Sequence, residues 1–410
     1  MLKISYLDNF IILLMFALLP VDMLNGIVLK NGINLPISIG QLFKLVILIF
    51  IFFRFLFKPK LLLVSLGFTA LLFLPSIYQS FKIFSVSSIF EDIVKISKYL
   101  TPLYCFLFFA DFIKRDGYVG IVKLRNLIRF SYIVLVGNIL LKYIGLGYPM
   151  YEYGSIGSKG FFYAGNEISA LLVILSSFMA FDIWNRGKKI QYFLLWAFTL
   201  FVGLTVSSKT GIVGILLIFF LIPLKRPSLK INLKSFIFFL ASIFLIIPLS
   251  LFLIWRSIQG TAFFIRLQYF SEKFDFWTFL LSSRNIFFKE ANKTYKEKYD
   301  FIEKIMGVGQ TQYENLNHNQ IVEIDFADIF FAYGLFGLLY FGMLMSFLIV
   351  QAVRFSSNKR HIYSNYVLLM IWILIGISAT AGHVFSSGMA AVFIGIVFAL
   401  MYFKEKQEDI

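Results

Sequence analysis

The sequence predicts an all-α polytopic membrane protein of about twelve transmembrane helices, with one long helical loop between spans nine and ten. Three observations predict it. Apolar residues make up 59% of the 410 residues, and mean hydropathy is +0.83, more apolar surface than a soluble domain can hide. The chain divides into apolar runs of roughly 20 residues, the length that crosses a bilayer core. Lysine and arginine crowd alternate loops, which fixes an orientation.

The apolar runs lie near 8–29, 38–57, 61–80, 92–112, 127–146, 166–184, 191–207, 210–225, 234–255, 325–352, 363–381 and 383–403. Three regions follow: 1–255 with spans one to nine, 256–324 as an extracytoplasmic loop with amphipathic helices, and 325–410 with spans ten to twelve and a cytoplasmic tail. The first run has Pro20-Val-Asp22 where a leader would carry small residues, so it reads as a span. The fourth opens on Glu91, Asp92, Lys95 and Lys98, acids three and four residues ahead of bases. That spacing predicts pairing along one helix face, with the segment in the interface.

With the N-terminus inside, the inner loops carry Arg54/Lys58/Lys60, Lys114/Arg115/Lys123/Arg125, Arg186/Lys188/Lys189, Lys225/Arg226/Lys230/Lys234 and Arg354/Lys359/Arg360. The short outer loops hold mostly single bases, among them Lys159 and Lys209. Both termini are therefore expected in the cytoplasm and the 256–320 insert outside. The net charge of +16 is this positive-inside bias plus attraction to anionic headgroups, and needs no nucleic acid. Cys105 is the only cysteine, so an intrachain disulfide is excluded.

Two short outer segments stand out before the insert. The loop Tyr151-Glu-Tyr-Gly-Ser-Ile-Gly-Ser-Lys-Gly-Phe-Phe-Tyr-Ala-Gly-Asn-Glu167 mixes glycines with aromatics. The rings either offer faces to sugars or sit in the interfacial belt. Lys159, Asn166 and Glu167 are its candidate binding residues. The turn Val206-Ser-Ser-Lys-Thr-Gly211 joins spans seven and eight at once, placing Lys209 at the membrane face, where a charge needs a partner or must snorkel.

The insert itself carries Phe263, Leu267, Phe270, Phe274, Trp277 and Leu281 at steps of four and three, the stripe of an amphipathic helix on the membrane surface or over a cavity mouth. Ser282-Ser283 reads as a cap before a second helix from about 284 to 299.

The outer cations Lys159, Lys209, Arg256, Arg266 and Arg284 suit an anion, since guanidinium grips phosphate bidentately and lysine adds a point charge. Snorkelling to headgroups is the alternative reading of these cations. Arg284 opposes the dipole of the helix it opens, so it needs another reason to be there. His318 precedes Asp325 by seven residues and shares a face with it if the helix starts early, with Asp328 near that face and Glu323 pointing elsewhere. Histidine can take a proton from a hydroxyl. An interfacial histidine followed by acids that favour a helix N-terminus is the other reading, and spacing does not choose between them. One histidine with scattered carboxylates is no metal-ligand spacing, and no cofactor is expected. His361 and His383 are lone histidines, the second on the outer side between spans eleven and twelve. No paired broken helices stand out, which weighs against a transporter.

The arginine after Ser282-Ser283, the Gly307-Val-Gly309 pair, and His318 followed by Glu323-Ile-Asp325-Phe-Ala-Asp328 together resemble the bacterial polysaccharide polymerases and O-antigen ligases. The run from Glu323 to Gly337, Lys159-Gly-Phe-Phe-Tyr-Ala-Gly-Asn-Glu167 and Ser207-Ser-Lys-Thr-Gly211 look closest to the capsular or exopolysaccharide polymerase branch. The resemblance implies a GT-C-like glycosyltransferase of the bacterial cytoplasmic membrane, working at its outer face. It would take undecaprenyl-diphosphate-linked oligosaccharides as donor and acceptor, by inverting transfer without a metal, beside a chain-length regulator and a flippase. It implies that Arg284, with Arg266 and Lys209, neutralises the departing diphosphate. His318, or Asp325 if the histidine only orients, would accept the acceptor's proton. Lys159, Asn166, Glu167, Glu323 and Asp328 would complete the substrate site.

Overall fold

The computed structural model describes residues 2–33, 37–83, 87–152, 155–163, 165–224, 256, 259–260, 262–380 and 382–405. The expected ninth span, 234–255, and the bases Lys225, Arg226, Lys230 and Lys234 lie outside them.

Among the described residues the chain is helical, without a named strand. The helices fall where the apolar runs predict them: α1 (Leu2–Lys30), α2 (Ile39–Phe55), α3 (Pro59–Ile83), α4 (Ser87–Leu140), α5 (Gly165–Asn185), α6 (Lys189–Val206) and α7 (Lys209–Leu224). The insert forms α8 (Ala262–Lys273), α9 (Phe276–Leu280), α10 (Arg284–Lys298), α11 (Phe301–Met306) and α12 (Gln310–Leu316). Then come α13 (Asp325–Ser356), α14 (Ser364–Thr380) and α15 (Ala390–Ala399). Among the described residues, six helices are long and apolar enough to cross a membrane, and α7, α14 and the last helix are shorter apolar ones.

Two of these helices reverse direction inside. In α4, Gly117 has φ +55, and the Lys123 ammonium sits 5.8 Å from the Phe112 ring, eleven positions back. A straight helix would separate those residues by roughly 16 Å, so 87–116 and 118–140 form a hairpin: the predicted fourth and fifth spans. In α13 the reversal was not expected. Gly334 has φ +57, and Phe326 meets Phe341 edge-on, 4.8 Å between ring centroids. The tenth span is therefore not one run from 325. A short arm, 325–333, folds back on a crossing arm, 335–356. A Cβ on Gly334 would stand 2.3 Å from the Ile305 carbonyl oxygen, so the bend is also where α11 presses closest.

Much of the inner-loop charge is paired. Arg54, 2% exposed, bonds Asp8 and Asp111, both at 2.7 Å. Asp182, near the end of α5, gathers Arg125, Arg129 and Arg186. These pairs pin α1, α2, α4 and α5 together at one end of the bundle. The opposite end holds the start of α5, the α6–α7 turn, the end of α14 and the insert.

The insert docks onto that end through polar side chains. Asp300 and Glu303 form a capping box at α11, and Lys82 of α3 reaches both carboxylates, at 2.8 and 2.6 Å. Asp92 accepts from the Thr311 backbone and hydroxyl, and Lys95 pairs with Glu314 at 2.8 Å. Asp92 and Lys95 thus bond the insert rather than partners along their own helix face. Gly307 and Gly309 serve the same docking: the N–H groups of Val308 and Gly309 both bond the Ala332 carbonyl.

Candidate active site

A cavity of about 280 Å³ opens at the insert end. Its wall comes from six places in the sequence. Tyr151 comes from the glycine-aromatic loop, and Ser169 from the first turns of α5. Ser208, Lys209 and Thr210 come from the α6–α7 turn, and Phe270, Phe274, Phe279, Ser282, Ser283 and Arg284 from the insert. Glu323, Ile377 and Gly382 close it.

The aromatic side of the wall differs from the periodic stripe. Asp275 accepts from Thr278 N and starts a new helix, breaking the stripe after Phe274. Phe270 and Phe274 stack at 5.7 Å and face the cavity, while Trp277 is 64% exposed. Ser282 and Ser283 do not cap α10 by hydroxyl. Both take left-handed backbone, φ +52 and +67, and line the cavity.

Arg284 shows why a cation opens α10. It is 7% exposed, and its guanidinium donates to the Glu323 carboxylate at 2.7 Å and the Glu323 carbonyl at 3.0 Å. It also reaches the carbonyls of Leu281 and Thr380, at 3.3 and 3.5 Å. One side chain thus ties the insert, the 320–324 segment and the end of α14. Lys209 donates to the Phe279 carbonyl at 2.9 Å and lies 4.4 Å from the Phe279 ring. Two cations and one carboxylate therefore share this wall. Ser169 Oγ, buried in the same wall, has no hydrogen-bond partner among the described residues.

Backbone strain gathers here. Of the eight non-glycine residues with positive φ among those described, Ser282, Ser283 and Glu323 line the cavity, and Ser207 and His383 adjoin lining residues. Such conformations cost about 1–3 kcal/mol each and concentrate at functional sites. Gly382 marks the closest approach: a Cβ there would stand 1.7 Å from the Glu323 carbonyl oxygen.

The other predicted residues separate. His318 is exposed, on the turn after α12, and is not part of the cavity wall. The helix does not start early enough to carry it: α13 begins at Asp325, so the shared face with Asp325 does not form. Glu323, expected to point elsewhere, is the acid in the cavity. Asp325, 1% exposed, accepts from Ser378, Ser386 and the N–H groups of Val384 and Phe385. Asp328 accepts from Tyr313 and Val322 N. Both acids pin loops. Glu167 accepts from Ser387 and Met389 N, outside the cavity wall. Lys159 donates to the Tyr163 carbonyl between the Tyr148 and Tyr163 rings, and its partial burial lowers its pKa. The side chains of Arg266 and Asn166 lie outside the described residues. Sequence reasoning left out His383, which stands 4.0 Å from Glu323. Its signal was only its place on the outer side.

These features define a multi-pass helical membrane protein with a cationic cavity at one end, closed by a long insert. Residues 267–408, about a third of the chain, match the family model described as O-antigen ligase like membrane protein. The match covers the insert from α8 onward, Arg284, Glu323 and the last helices, and supports a membrane glycan-processing role without separating polymerase from ligase. No curated protein matches the chain.

Proposed function

We propose that the protein is a polysaccharide polymerase: a glycosyltransferase that joins oligosaccharide repeat units carried on undecaprenyl diphosphate, at the outer face of the bacterial cytoplasmic membrane. The observation that carries this reading is the meeting of Lys209, Arg284 and Glu323 in one partly enclosed cavity, from segments far apart in sequence. Departure of a lipid diphosphate from an anomeric carbon builds negative charge on the leaving oxygens. Fixed cations in a site of low water content stabilise that charge without reorganising at the moment of reaction. Lys209 and Arg284 supply them. Glu323, beside them, is held by Arg284 so that its carboxylate meets the incoming sugar alcohol rather than the diphosphate. Transfer by one direct displacement inverts the anomeric centre.

The description of the matched family favours a second reading, ligation of a finished glycan to a different acceptor. Reconstitution of the full chain with a lipid-linked repeat unit separates the two. A ladder of product lengths supports polymerase, and a single transferred product supports ligase. Movement of substrate with no new glycosidic bond would sink both.

A further inference from the structure

His383 lies in the turn between α14 and α15, beside the cavity-lining Gly382, and holds left-handed backbone at φ +51. Its side chain is 25% exposed. Both ring nitrogens face groups that decide its proton arrangement. Nδ1 lies 3.4 Å from Ser386 Oγ, and that hydroxyl donates its one proton to Asp325 Oδ1 at 2.8 Å. Asp325 is itself immobile: its other oxygen accepts from Ser378 Oγ, Val384 N and Phe385 N at 2.8, 3.0 and 3.1 Å. With its proton committed to Asp325, the serine oxygen can only accept from the histidine. Nδ1 is therefore the donor to the serine, and a ring carrying one proton keeps its lone pair on Nε2. That nitrogen points toward Glu323 Oε1, 4.0 Å away, while Glu323 Oε2 is held by Arg284.

We propose that His383 is the catalytic base of the transfer, with Ser386 and Asp325 as its positioning residues. The assignment rests on reading the cavity as a site of glycosyl transfer from a lipid diphosphate. The acceptor's O–H bond breaks and its proton passes to Nε2. The freed oxygen pair forms the new bond to the anomeric carbon. The bond from that carbon to the diphosphate oxygen breaks, its electron pair leaving with the lipid diphosphate. The imidazolium so formed faces the Glu323 carboxylate directly and Asp325 through Ser386, with Asp328 within electrostatic reach and Arg284 on the far side of Glu323. The Glu323 and Asp325 carboxylates lie nearest that charge as it forms. The proton is lost to water as the product leaves.

The test uses the full chain in liposomes with lipid-linked oligosaccharide extracted from cells in which its gene is deleted. His383→Gln and His383→Ala are expected to lower turnover at least ~100-fold, the ordinary worth of a general base, with donor binding changed no more than about two-fold. Imidazole added to His383→Ala should restore part of the rate. Ser386→Ala removes the acceptor that stabilises Nδ1–H in the imidazolium, so the acid limb of its pH–rate profile should move to lower pH. Wild-type turnover in His383→Gln, alongside an inactive Arg284→Ala, overturns the base assignment and leaves the transfer reading standing. Absence of any new glycosidic bond with the wild type overturns both. If His383→Ala does not fold, the Ser386→Ala profile decides, and an unmoved acid limb there rejects the proposal.

Discussion

Arg284 holds Glu323 twice, through Nη2 to its carboxylate at 2.7 Å and through Nε to its own carbonyl at 3.0 Å. The first bond aims the carboxylate, and the second secures the left-handed backbone, φ +61, that presents it. An arginine expected only to grip a diphosphate is therefore also the clasp of the segment opposite.

Both roles predict a strong effect of replacement. Arg284→Ala should abolish chain growth, and Arg284→Lys should lose most of it, because an ammonium cannot fork between carboxylate and carbonyl. The Arg284→Met/Glu323→Gln double variant should fold more stably than the two single losses predict by addition, since neither partner is left unpaired. Glycan length distribution and the unfolding temperature of the detergent-solubilised protein check the two halves.

His318 and Glu323 make a sharper contrast. The resemblance implies a proton-accepting His318, yet the residue is exposed and lies off the cavity wall. His318→Ala should leave polymerisation within roughly two-fold of wild type, as surface substitutions do. Glu323→Gln should lower it far more. Equal loss in both variants contradicts the cavity as the site.

Lys209 is expected to act on the departing diphosphate. Lys209→Gln should lower kcat by about 100-fold or more, the effect of losing one preorganised stabiliser, with a smaller change in KM. Lys209→Arg should recover part of it. A change confined to KM would place Lys209 in ground-state donor binding instead.

Docking of the insert should depend on acid. Asp300 is held below its ordinary carboxylate pKa, chiefly by the Glu303 N–H and then by Lys82. A depressed folded pKa means stabilisation that is complete above the unfolded value, about 3.9, and is lost as pH falls through the folded value. Protease cleavage within 284–320 should therefore rise only below about pH 4. Lys82→Gln should reduce that acid dependence and raise cleavage at neutral pH.

The bend in α13 predicts a structural loss. Gly334→Ala places a Cβ 2.3 Å from the Ile305 carbonyl oxygen at positive φ. It should lower the amount of folded protein in the membrane, read against Gly342→Ala, where a Cβ meets open space.

Much of this molecule follows from the chain read locally. Hydropathy located α1 to α7, α14 and the last helix, because burial in lipid is demanded residue by residue along a run. The start of α10 at Arg284 followed from the two serines before it, and the positive-inside bias put Lys209 and Arg284 at one end. Tertiary structure decided which groups meet. The fold-back at Gly334 set 325–333 against 335–356, and with it where Glu323 and Asp325 lie. A left-handed turn at 318–319 kept His318 out, and another at 382–383 brought in His383, some sixty residues beyond Glu323. Periodicity carries no record of such turns, since their geometry is held by contacts between distant segments: Asp325 with the 384–386 backbone and serine, and Arg284 with Glu323 and Thr380.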